Sequence, residues 1–180
     1  MPKTFSTSRV TETMQNRRAQ RKQAMAFEPN EATAYHEAGH AVAALALGRP
    51  VHGVSILPDR ERAGVCEFGK GTFKPTDDWL EREAIISLAG LAAEARFTGN
   101  YAWDAAAQDF RYVRQLTVSR AGERRAERLE RRLLSKTEHL LYQEANWRAV
   151  ELIAAELMRL GQISGRAARH WFQKALAEFE

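Results

Sequence analysis

The spacing of apolar positions divides the chain into a polar lead-in, a central region with two successive periods, and a long helical remainder. From Met1 to about Phe27, Ser, Thr, Gln and Arg predominate without a sustained apolar period, so residues 1–28 read as a flexible basic arm and 29–180 as one folded domain. Asn30 or Thr33 is placed to cap a helix running from Ala34 to Leu47, which Gly48 and Pro50 end. Nearly every position of that helix is Ala, Val or Leu; the polar exceptions include His36, Glu37 and His40. A helix apolar on most sides belongs in the middle of a fold.

The period then shortens to two. Val51 to Leu57 alternates as a strand, Pro58 to Gly64 turns, and Val65 to Phe68 reads as the hairpin partner. Thr76, Asp77 and Asp78 cap a further helix in which Leu80, Ile85, Leu88, Ala89, Ala92 and Ala93 recur at helical spacing up to Gly99, giving a small-residue face suited to close packing. From Trp103 another helix carries Asp109, Val113, Leu116 and Val118. After the charged stretch Gly122 to Arg125 come amphipathic helices through Leu134, Leu140, Leu141, Val150, Ile153, Leu157 and Leu160, punctuated by Gly161 and Gly165. No solenoid repeat is present. The predicted fold class is mainly α with a small β-hairpin or sheet.

Composition narrows the function. At 180 residues, 44% of them apolar and 28% charged, the chain supports one domain with a real core and excludes wholesale disorder. No stretch approaches the roughly 20 apolar residues that span a bilayer, and the N-terminus lacks the apolar segment of a secretory signal, which predicts a cytoplasmic protein. The single cysteine, Cys66, excludes an internal disulfide and a Cys-rich metal site, and reads as a half-buried strand residue. Much of the net charge of +4 comes from Lys3, Arg9, Arg17, Arg18, Arg21 and Lys22, set against Glu12 and Glu28, so the folded part is close to neutral. The run from Arg9 to Lys22 carries no aromatic residue to stack on a base, and a nucleic-acid partner is not expected.

The chemistry sits in the first helix. His36 and His40, four apart, present their imidazoles on one face a turn apart, close enough to share one Zn²⁺. Glu37 projects beside the open position, placed to act as general base toward a metal-activated water. A third ligand is needed, and two helical acids are candidates, Asp109 and Glu94; spacing does not choose between them. Asp104, near the start of its helix, is better suited to stabilising the helix dipole. His52, His139 and His170 read as solvent-facing or helix-end residues, and Trp147 and Trp171 as core.

At this point the residues resemble the peptidase domain of FtsH-type ATP-dependent zinc metalloproteases. Thr33 to Val42 and then Pro50 to Pro58 are similar to that family's zinc helix and following strand. Leu88 to Ala95, followed by Phe97 and Gly99, resembles its second signature helix, and Gln108-Asp109-Phe110 occupies the place of its acidic zinc ligand. The likeness covers roughly Glu31 to Phe172. It implies a zincin-like helical metallopeptidase of the His-Glu-x-x-His type with His36, His40 and Asp109 on Zn²⁺, Glu37 as catalytic base, and Glu94 supporting a ligand.

Two departures shape the expected function. No Gly-rich loop followed by Lys-Ser or Lys-Thr occurs, so no ATPase module accompanies the site, and no transmembrane segment is present. Also, Tyr101 to Ala107 differs from the family's usual Gly- and Ser-containing turn. The expectation is a zinc endopeptidase acting on flexible or unfolded polypeptide, with an extended substrate adding to the edge of the Val51 to Leu57 hairpin. The resemblance further suggests self-association into homo-oligomers and delivery of substrate by a separate ATPase or adaptor. The rival readings are a regulatory peptidase for one dedicated protein, targeted by the basic arm, and a catalytically silent scaffold.

Overall fold

The computed structural model describes residues 30–58, 63–69 and 78–180; the predicted basic arm, and Thr76 and Asp77 of the predicted cap, lie outside them. The elements in chain order are α1 (Glu31–Ala46), β1 (Val51–Ser55), β2 (Val65–Phe68), α2 (Trp79–Thr98), α3 (Ala107–Ala121), α4 (Glu123–Leu141), α5 (Glu144–Leu160), β3 (Gln162–Ser164) and α6 (Gly165–Ala177). This is the mainly helical fold with a small antiparallel sheet that the apolar periods predict.

Asn30 caps α1, its side chain accepting from the Ala32 and Thr33 amides at 2.9 and 3.4 Å. Ten of the sixteen residues of α1 are buried, because α2 packs along one side and α5 along another. The α1–α2 crossing is close because small residues meet there: a Cβ on Gly39 would lie 2.4 Å from the Ala89 carbonyl oxygen and 2.6 Å from the Ala93 Cβ. Asp78 caps α2 by accepting from the Glu81 amide at 3.1 Å, and Gly99, at φ 81°, closes it with its amide on the Ala95 carbonyl.

The apolar interior has two parts. The main core joins α1, α2, α5, α6 and the sheet through residues such as Val42, Val54, Ile86, Ile153 and Leu157. A smaller one joins α2, α3 and α4 through Ala84, Leu88, Val113, Leu129 and Leu133. Trp147 and Trp171 pack partly buried against the main core, and His52, His139 and His170 are exposed, all as predicted. Among the described residues no helix is long and apolar enough to cross a membrane.

Three details differ from the pattern. The strand order is β2-β1-β3, with β1 antiparallel to both neighbours. β1 is therefore the middle strand, and the outer edge of the hairpin belongs to β2. The helix carrying Asp109 starts at Ala107, not Trp103, since residues 103–106 form turns. Trp103 stacks on Tyr101 and meets Phe110 edge-on, each at 5.4 Å between ring centroids, so aromatic packing holds it outside the helix. Finally, the charged stretch at Glu123 is already helical, because Gly122 at φ 74° makes the whole break between α3 and α4.

Candidate metal centre

α1 carries His36 and His40 on the face turned to α2, where burial leaves them 9% and 6% exposed. Their Nε2 atoms lie 3.1 Å apart, and Asp109 in the first turn of α3 brings its Oδ2 to 3.5 Å from both. Donors bound at about 2.0–2.1 Å to a tetrahedral zinc stand about 3.3–3.4 Å from one another. Two imidazole nitrogens and one carboxylate oxygen at these separations therefore fit a zinc ion. Among the described residues this is the group of His, Cys, Asp and Glu side chains placed to hold a metal.

The far side of each imidazole is held. His36 Nδ1 lies 3.0 Å from Glu94 Oε2 and His40 Nδ1 lies 2.8 Å from the Ile86 carbonyl oxygen, both on α2. An Nδ1–H donated to each acceptor fixes the tautomer that leaves Nε2 free to ligate. Glu94 thus sits behind His36 while Asp109 faces the Nε2 pair. Asp104 is exposed, and its backbone carbonyl, not its side chain, takes the Ala107 amide at 3.4 Å.

Electrostatics favour a cation here. Burial would push the His36 ring down, but hydrogen bonds to the Asp109 and Glu94 carboxylates, together with the nearby Glu37 charge, outweigh it and raise the ring to about 9. Burial would raise Asp109, yet its hydrogen bonds to His36 and His40 hold it well below the usual carboxylate range. The cluster thus favours positive charge between the two rings and the Asp109 carboxylate.

These residues line a cavity of about 710 Å³ together with Glu37, which is 6% exposed. Val65 and Cys66 of β2, Gln108 and Tyr112 of α3, and Asn30 and Thr33 at the start of α1 form other parts of its wall. Cys66 is buried, and burial followed by the Glu37 charge raises its thiol well above its ordinary value. Pattern reading does not find the Ile86 carbonyl, nor Gly64 and Gly90, which approach the site closely. A backbone acceptor carries no side-chain signal, and a glycine amid small residues on a helix reads only as packing.

The chain is similar to three curated proteins. Over 79 residues it is 44% identical to the ATP-dependent zinc metalloprotease FtsH of Cupriavidus metallidurans, a match covering 41% of this chain and 12% of that protein. Over 91 residues it is 36% identical to the ATP-dependent zinc metalloprotease FtsH of Syntrophotalea carbinolica, covering 46% and 13%. Over 80 residues it is 35% identical to the ATP-dependent zinc metalloprotease FtsH 1 of Rhodopirellula baltica, covering 42% and 12%. No protein-family model matches the chain. The chain spans about an eighth of the length of these relatives, and a region of it is related to the FtsH zinc metalloproteases.

Proposed function

We propose that this FtsH-related region is a zinc endopeptidase of the His-Glu-x-x-His type, cleaving flexible or unfolded polypeptide without an ATPase within these 180 residues. The observation that carries the reading is the convergence of His36 Nε2, His40 Nε2 and Asp109 Oδ2 at 3.1–3.5 Å on a cavity that Glu37 also lines. A zinc ion bound there would supply Lewis acidity, bringing the pKa of a coordinated water to about 7. His36, His40 and Asp109 would hold it, Glu94 and the Ile86 carbonyl keeping the rings aimed. Glu37, one residue from His36 on the same helix, takes the proton from the attacking water and passes it to the leaving amine.

β2 supports an extended substrate pose. It is an outer strand, with no further strand on its far side among the described residues, and Val65 and Cys66 belong to the cavity wall, so a peptide adding to that edge runs beside the site. The complete trio with Glu37 disfavours a silent scaffold. Kinship with the FtsH proteases supports self-association and delivery of substrate by a separate ATPase as parts of the same reading.

The test is hydrolysis of unfolded casein, with zinc content measured on the same samples. Glu37→Gln retains zinc and lowers kcat by roughly 10²–10⁴-fold. Full activity in that variant removes the proposed base.

A further inference from the structure

Two glycines approach the functional groups more closely than any side chain could. A Cβ on Gly90 of α2 would lie 2.4 Å from His40 Nε2, 2.5 Å from His36 Nε2 and 2.6 Å from His36 Cδ2. A Cβ on Gly64, just before β2, would lie 2.7 Å from Glu37 Oε1, 2.8 Å from its Cγ and 2.9 Å from the Ser55 carbonyl oxygen. The first conflict is with both ring nitrogens that face Asp109, the second with the carboxylate. Neither glycine has the positive φ that would explain it by backbone conformation.

We propose that Gly90 and Gly64 are positioning residues with separate tasks: Gly90 keeps the space in which the two histidines converge on the metal, and Gly64 keeps the space from which Glu37 acts. This rests on the zinc-peptidase reading. At Gly90 the atoms nearest the added carbon are the outer ends of two side chains, which yield by giving up their Nδ1 contacts to Glu94 and the Ile86 carbonyl and not by moving a helix. Gly39, one turn of contact along the same crossing, is different: its added carbon meets the Ala89 backbone. A methyl at Gly90 therefore displaces the rings and leaves the fold intact, and the higher helix propensity of Ala offsets part of the cost of moving them. Once the rings part, Nε2 atoms now 3.1 Å apart cannot share one ion.

The test compares native protein, Gly90→Ala and Gly64→Ala for three quantities: urea unfolding of the metal-free form, zinc affinity by chelator competition, and the visible spectrum of the cobalt-substituted form. Gly90→Ala should keep cooperative unfolding near the native midpoint and lose at least 100-fold in zinc affinity. Gly64→Ala should keep zinc affinity within threefold and the native cobalt spectrum, while casein cleavage falls at least tenfold. Native zinc affinity in Gly90→Ala overturns the assignment, as does its failure to fold, since only ring ends should yield. Loss of zinc by Gly64→Ala overturns the division of tasks. A native protein that binds no zinc overturns the peptidase reading as well.

Discussion

Helices α1 and α4 are of similar length, sixteen and nineteen residues, and use it in opposite ways. α4 buries one stripe, Ala126, Leu129, Glu130, Leu133, Thr137 and Leu141, and turns Arg124, Arg125, Arg128, Arg131 and Arg132 to water. α1 is enclosed from Ala38 to Ala44 without a break. One helix is held by a face that can be varied on its other side; the other is clamped all round, which is what a preorganised metal site needs. The contrast shows where substitutions act: in α1 and its crossing on the fold or on the chemistry according to what the side chain meets, in α4 on stability alone.

The largest expected effect tests the clamp itself. Gly39→Leu drives a bulky side chain into the Ala89 backbone and should abolish the cooperative unfolding transition in near-ultraviolet circular dichroism; a native-like transition would show that the crossing is not tight. On the α4 side, Leu133→Ala, at a side chain 1% exposed, should cost about 2–5 kcal/mol in urea unfolding. Zinc affinity of its folded form should stay native, and a loss there would erase the distinction between the two helices.

Smaller effects sharpen it. Glu94→Gln removes the charge behind His36 at 3.0 Å and should weaken zinc about 10–100-fold with the fold intact, read by chelator competition. Proton linkage gives a further check. His36 is raised from 6.5 to about 9 in the folded metal-free protein, so its stabilisation of that form is complete below 6.5 and fades as pH rises through 9. Zinc requires the neutral ring, so between these limits binding should release a proton, and the thermal stabilisation by zinc should grow from pH 6.5 to 9. Calorimetry in buffers of different ionisation enthalpy reads the release. The smallest effect belongs to the exposed pair of Arg131 with Glu127 on α4: Arg131→Ala should leave both the unfolding midpoint and casein cleavage unchanged.

The same contrast governs what the amino-acid order reveals. α4 and α5 announce their buried faces by spacing, and α1 announces its two histidines, because imidazoles a turn apart on a helix are a local matter. Which acid completes the group is not local: Asp109 reaches the histidines only through the turns at residues 103–106 and the packing of α3 on α2. Spacing alone leaves it level with Glu94, and only the resemblance favours it. β3 escapes because three residues, Gln162–Ser164, pinned between two glycines, are too few for a period to show. Missing it puts β1 at an edge it does not have. Gly64 and Gly90 escape because closeness to a functional group leaves no trace in composition.

The most direct measurement of the central claim is zinc X-ray absorption on the loaded protein, native and Asp109→Ala. The expected result is two imidazoles at about 2.0–2.1 Å with oxygen completing the shell, no sulfur, and loss of bound zinc in Asp109→Ala. A sulfur scatterer near 2.3 Å would bring Cys66 from the cavity wall into the shell. That result, or full zinc retention without Asp109, would contradict the site described.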